Sequence, residues 1–173
     1  MKRYPFLAML LHWLSAAAIL WALCSGFALA SGILPPIWAK AIPPLNIALT
    51  TLLLPFWLLR LLYRLTFRMP PPADMVPRDW AMARRGHLAL YALGSLSLLS
   101  GILMMERPMS VFGWFTLAAP LPPGLLTSGF ALAHFVSNVL LALAVAAHIS
   151  AVAVHHRRGL PILRRMSSGR SER

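Results

Sequence analysis

Three histidines stand inside apolar stretches of this 173-residue chain: His12, His134 and His148. Imidazole offers a lone pair to a metal and an N–H to an acceptor. Because a ligating side chain is costly to place in lipid, one found there is normally turned inward and put to use. His134 and His148 are fourteen residues apart on one long apolar run. On a helix that spacing gives a rise of about 21 Å and an angular drift of roughly 40°. His12 lies about 9 Å into a different run, and the two runs put His12 and His148 at similar depth if their helices are antiparallel. Two imidazoles facing each other across a bundle can take a flat porphyrin iron from above and below, an arrangement suited to moving single electrons. From spacing alone two other roles stay open: a hydrogen bond to a neighbouring helix, and the lining of a polar cavity for protons or a small substrate.

The elements that would position these rings are apolar helices. With 59% apolar residues, 12% charged residues and a mean hydropathy of +0.71, the chain is too apolar for a soluble domain. It carries four runs long enough to cross a bilayer, at about 6–33, 43–65, 86–105 and 125–156. The expected fold is all-α: a four-helix transmembrane bundle, up-down-up-down, forming one membrane domain over 1–173. Lys2 and Arg3 ahead of the first run, with Ala28-Leu29-Ala30 near its end, have the form of a cleavable signal. The length of the run and its Trp13, Trp21 and His12 favour a retained helix. Pro43 suits the first turn of the second helix, where its missing N–H would be unpaired anyway. From Met69 to Arg85 the chain reads as a polar linker with an extended Pro70-Pro71-Pro72 start. The stretch from Glu106 to Gly124, with Phe112, Trp114 and Phe115, suits a partly buried segment at the membrane interface.

The formal charge of +12 does not indicate nucleic-acid binding, because the basic residues flank apolar segments instead of forming a polar face. In four alternating helices, Lys2, Arg3, Arg60, Arg64, Arg68, Arg78, Arg84, Arg85, Arg157, Arg158, Arg164, Arg165, Arg170 and Arg173 share one side, fourteen against Lys40 and Arg107. Positive residues collect on the cytoplasmic side, so both termini are expected there, in a bacterial inner membrane. His87, beside Arg84 and Arg85, reads as interfacial, as do His155 and His156 beside Arg157 and Arg158. Cys24 is the sole cysteine, which rules out an intrachain disulfide framework, and it reads as small apolar packing.

Several stretches together are similar to one family. They are LHWLSA around His12, LLRLLYRL with Arg60 and Arg64, RRGHLALYAL with His87 and Tyr91, and MSVFGWF at 109–115. The pair His134 and His148, the doublet His155-His156 and a basic LRRM tail complete the set. Over nearly its whole length the chain resembles the bacterial cytochrome b561 group, related to the b-type cytochrome subunits of nickel hydrogenases and formate dehydrogenases. The resemblance implies a four-helix membrane cytochrome with two b haems stacked across the bilayer. Such a protein passes electrons between membrane quinone and a redox partner or small oxidant in a respiratory chain.

Carried over position by position, the resemblance makes His12 and His148 the axial ligands of the cytoplasmic-side haem iron. It makes His134 one ligand of the opposite haem, whose second ligand is expected near the start of the second helix. Asn46 stands there, and an amide is a poor ligand for haem iron. Three outcomes follow. The second haem is absent, with His134 held by a hydrogen bond such as one to Asn46; or it is five-coordinate on His134, open to oxygen or superoxide; or Met104 or Met105 supplies the sixth ligand. The first two are favoured, because the family carries similar methionines even where the histidine is present.

Arg60 has two readings, a bidentate clamp on a haem propionate and a snorkel to the headgroups. Arg60, Arg84, Arg85, His87 and His155 are expected to border a quinone headgroup, and Glu106 with Arg107 to form an interfacial pair. The expected function is a b-type haem electron carrier working with the quinone pool, with one well-formed haem site and a degenerate second. The contrasting function is a haem-free membrane anchor or small transporter on the same scaffold. Whether the chain is itself an oxidoreductase, acting on superoxide or another small oxidant, or only wires a soluble or membrane partner, and whether it forms a homodimer, stay open at this stage.

Overall fold

The computed structural model describes residues 4–67, 70, 75–160 and 162–166. Lys2, Arg3, Arg68, Met69, Pro71, Pro72, Asp74, Arg170 and Arg173 lie outside the described residues, as do the side chains of Arg164 and Arg165. Four long helices dominate: α1 (Phe6–Ala30), α2 (Pro36–Thr66), α3 (Pro77–Leu103) and α4 (Leu125–Arg157). Each is long and apolar enough to span a membrane, and together they form a four-helix transmembrane bundle. A small hairpin of β1 (Met109–Val111) and β2 (Phe115–Leu117) joins α3 to α4, and a short α5 (Ile162–Arg165) follows α4.

Two helix starts differ from the sequence expectation. α2 begins at Pro36, so Pro43 and Pro44 fall inside it. An interior proline withdraws the N–H that would serve the carbonyl four residues back, so the losses fall on Ala39 and Lys40, within the first two turns. α3 begins at Pro77, nine residues before the expected start at Gly86, with Asp79 in its first turn. A carboxylate there complements the positive end of the helix dipole. The 106–124 connection folds back as a hairpin with Met109 paired to Leu117 and Val111 to Phe115. Its turn places both Phe112 (φ 51°) and Gly113 (φ 75°) in the left-handed region, as type I′ hairpin turns require. β1 packs on α2 and buries Met109 and Val111.

Packing divides the bundle into two hairpins. α1 lies along α2 and α3 along α4, whereas α2 meets α3 over a much smaller area. Small and polar residues point inward, including Ser15, Thr51, Ser97, Ser100 and Ser137, while Leu62, Leu88, Leu132 and Leu143 face outward. That inversion is expected in lipid, where close backbone approach and interhelical hydrogen bonds replace the hydrophobic drive between helices. Cys24 is exposed and does not take the packing role expected of it.

The α2–α3 junction rests on one indole. Trp57 is 4% exposed and packs with Leu53 and Leu98, flanked by Ala18, Ile19, Leu54 and Tyr91. Its Nε1–H donates to Ser95 Oγ at 3.0 Å, and its ring fills the space where a Cβ on Gly94 would stand, 2.7 Å away. Gly94→Ala therefore overfills the junction. It is expected to cost about 1–3 kcal/mol, seen as a lower midpoint of thermal unfolding in detergent.

Candidate functional site

One side chain from each long helix converges on a single level near the end where α2 and α4 finish. From α1 comes His12, from α2 Arg60, from α3 His87 and from α4 His148. Arg60 Nη2 donates to His12 Nδ1 at 2.9 Å. His12 lies within electrostatic reach of Arg60, His148 and His87. The rings of His87 and His148 have centroids 5.5 Å apart and are tilted by 59°, and the Arg60 charge reaches His148 as well. The guanidinium is caged, with its carbon 5.4 Å from the Trp57 ring centroid and 5.2 Å from that of Tyr91. Such cation–π placement holds an arginine in an apolar span where water cannot.

Three of the four residues at this level were singled out by their type and depth. His87 departs from the interfacial role expected of it. Because α3 starts at Pro77, His87 sits ten residues inside the helix, about 15 Å from its start, and reaches His148. Arg60 lies among the histidines, with its guanidinium bonded to His12. A pocket beside His12 is lined by Arg60, Tyr63, Phe67, Tyr91 and Met166, among others. The set expected to border a quinone is thereby divided, since Arg84 and Arg85 are exposed. His155 is partly buried, and among the described residues its Nδ1 has no hydrogen-bond partner. The Trp13 indole donates to Met166 O at 2.8 Å, tying α1 to the chain just after α5.

A second polar level lies about four helical turns away along α4. His134 Nδ1 is 2.9 Å from Ser97 O. A carbonyl can only accept, so Nδ1 carries the proton and Nε2 of the neutral ring presents a lone pair. Gly101 lets the ring lie flat on α3, because a Cβ there would come within 3.0 Å of His134 Cε1. Ser97 Oγ donates to Asn138 Oδ1 at 2.9 Å, and Asn138 Nδ2 donates to His134 O at 2.8 Å.

Asn46 does not bond to His134. Its Nδ2 donates to Ser25 Oγ at 2.9 Å, and its Oδ1 accepts from Trp21 Nε1 at 3.0 Å. The Ser25 hydroxyl in turn lies 2.7 Å from Trp21 O. Met104 and Met105 line an outward-facing pocket with Glu106, Thr127 and Ala131. Glu106 accepts from Thr127 Oγ1 at 2.6 Å and does not pair with Arg107.

The donor set can be compared with what a metal group would need. Among the described residues no three His, Cys, Asp or Glu side chains converge to chelate a bare ion. A porphyrin brings four nitrogens of its own and asks the protein for one or two axial donors. Imidazoles of the kind gathered at this level are among the donors such a group accepts.

Comparison with known proteins adds an independent result. A family described as "Prokaryotic cytochrome b561" matches residues 3–169. "Cytochrome b561 homolog 2" of Escherichia coli (strain K12) is 33% identical over 126 residues, 69% of this chain and 66% of that relative. The matched stretch thus spans just under two thirds of the relative's length.

The Asn46 network can be tested directly. Asn46→Leu leaves the Trp21 indole without its acceptor and removes one partner of Ser25. A hydrogen bond contributes about 0.5–1.5 kcal/mol net, and its loss is expected as lower thermal stability in detergent with the helix content unchanged by circular dichroism.

Proposed function

The chain belongs to the prokaryotic cytochrome b561 family, and from that membership we propose that it carries electrons through a b-type haem held between His12 and His148 and exchanges them with membrane quinone. At the level the family itself supports, it is a b-type haem electron-transfer protein of a bacterial membrane. The observation that carries the finer reading is the convergence of all four helices on the level of His12, Arg60, His87 and His148. A haem bound there would be held by His12 and His148 and would supply a one-electron iron couple.

Arg60 has a definite part in this arrangement. A guanidinium only donates, so while Arg60 holds His12 Nδ1 the proton of that ring sits on Nε2. Ligation through Nε2 would need the proton on Nδ1, and hence Arg60 turned to another acceptor. A porphyrin propionate would be such an acceptor, since its carboxylate matches the guanidinium. The Trp57 and Tyr91 rings hold the cation beside His12. The aromatic pocket next to His12, with the stacked pair Tyr63 and Phe67 at 4.4 Å, supports quinone as the partner. The fourteen-to-two charge bias supports an inner-membrane protein with both termini in the cytoplasm, so that this pocket serves the inner leaflet. The full hydrogen bonding of Asn46 favours a second reading, a haem-free scaffold that acts as an anchor or small transporter.

Visible spectra of the purified chain separate the two. A sharp band on reduction is expected, lost in His12→Ala and His148→Ala and kept in His87→Ala, while a colourless preparation supports the haem-free scaffold. Arg60→Gln removes a positive charge that favours the reduced iron. The midpoint potential in a spectroscopic redox titration is therefore expected to fall, with the low-spin spectrum retained.

A further inference from the structure

At the end of the bundle away from His12, a cleft opens between the end of α3 and the start of α4. α3 finishes at Leu103 and α4 begins at Leu125, so residues just outside those limits stand where two spans reach the headgroups. The cleft has a volume of about 390 Å³ and is lined by Met104, Met105, Glu106, Arg107, Thr127 and Ala131, among others. It holds both signs of charge, and the two do not neutralise each other. The Thr127 hydroxyl accepts from the Gly124 N–H at 3.0 Å and donates to Glu106 Oε1 at 2.6 Å, which fixes the carboxylate in the wall. Among the described residues Glu106 Oε2 has no hydrogen-bond partner, and Arg107 has neither a hydrogen bond nor an ion pair.

A simple ion entering this cleft meets one partner and one opponent. A zwitterion meets two partners. A guanidinium matches phosphate oxygens in parallel N–H···O bonds. A free carboxylate oxygen accepts an N–H from a primary ammonium, which a trimethylated nitrogen cannot offer. The apolar surroundings extend the match. Met104 and Met105 carry unbranched chains that adapt to irregular apolar shapes. On α4, Leu132 and Phe135 stand one turn beyond Ser128 and Ala131 on the same face, and both are exposed, at 65% and 57%. An acyl chain whose headgroup sits in the cleft can lie along that face, whereas a soluble zwitterion makes no use of it.

We propose that the cleft binds one phospholipid whose headgroup joins a phosphate to a primary ammonium, namely phosphatidylethanolamine. The phosphate meets Arg107, the ammonium meets Glu106, and an acyl chain follows Leu132 and Phe135. No residue of the cleft belongs to the level of His12 and His148, so the site stands whether or not haem is bound there.

The test uses the full chain, purified in detergent and measured by native mass spectrometry with phosphatidylethanolamine and phosphatidylcholine of identical acyl chains. Wild type is expected to bind phosphatidylethanolamine at least about tenfold more tightly, the scale of one charge-assisted hydrogen bond. Glu106→Gln keeps an oxygen for Thr127 but loses the charge, and is expected to bring the two lipids to equal affinity. Arg107→Gln is expected to weaken both lipids together. Arg107 is exposed and unpaired among the described residues, so that variant keeps the fold even if Glu106→Gln does not. Glycerophosphoethanolamine, the same headgroup without acyl chains, is expected not to displace the lipid. The inference is overturned if wild type does not discriminate between the lipids, if discrimination survives in Glu106→Gln, or if Arg107→Gln binds both as wild type does. It is also overturned if the acyl-free headgroup competes on equal terms, which would make the cleft a site for soluble zwitterions.

Discussion

The Trp57 indole seated against Gly94 is the contact on which the rest of the bundle depends. Each helical hairpin is zipped along its own length, but α2 meets α3 over little area, and the other junction between the halves is β1 packed on α2. Between α2 and α3 Trp57 supplies a ring in the notch of Gly94, a hydrogen bond to Ser95, and packing against Leu98 and Tyr91. Its position sets how far α1 and α2 stand from α3 and α4. Because Arg60 is one turn along the same helix and rests on the same two rings, the wedge also sets where the cation lies relative to the histidines. Packing and electrostatics at this site have one mechanical origin.

Much of this was legible in the sequence because bilayer thickness and the cost of polar groups in lipid act on composition directly. Four apolar runs gave four helices, and the depths of His12 and His148 followed from rise per residue. The errors have physical causes. Pro43 and Pro44 looked like a helix start because proline is favoured there, but Pro36 provides the real one and the bundle tolerates the later pair near the helix end. His87 looked interfacial because it follows Arg84 and Arg85. Those arginines ride on an extra amphipathic stretch of α3 whose solvent-facing residues carry no apolar signal, and the stretch puts His87 well inside. The Trp57–Arg60–Tyr91 cage left no trace in the sequence, because it exists only once the register between α2 and α3 is set.

The two polar levels handle the same difficulty in different ways. At the level of His12, Arg60, His87 and His148, the Arg60 cation rests on the Trp57 and Tyr91 faces and bonds to His12, and the His87 and His148 rings lie against each other. At the level of Asn46 and His134, each polar group is drawn back to a neighbour in its own hairpin, Asn46 to Ser25 and Trp21, His134 to Ser97. The Asn46 amide, with two hydrogen-bonding ends, ties α1 to α2.

Those ties have a bearing on how the protein comes to be built. Each joins helices that are consecutive in the chain, Asn46 to the helix before it and His134 to the helix before it. As each pair of spans leaves the ribosome and enters the bilayer, it can satisfy its buried amides and hydroxyls from its own residues without waiting for the other pair. What is left between the halves is the docking of Trp57 on α3 and of β1 on α2, and the placement of the α1 histidine relative to that of α4 depends on those two contacts.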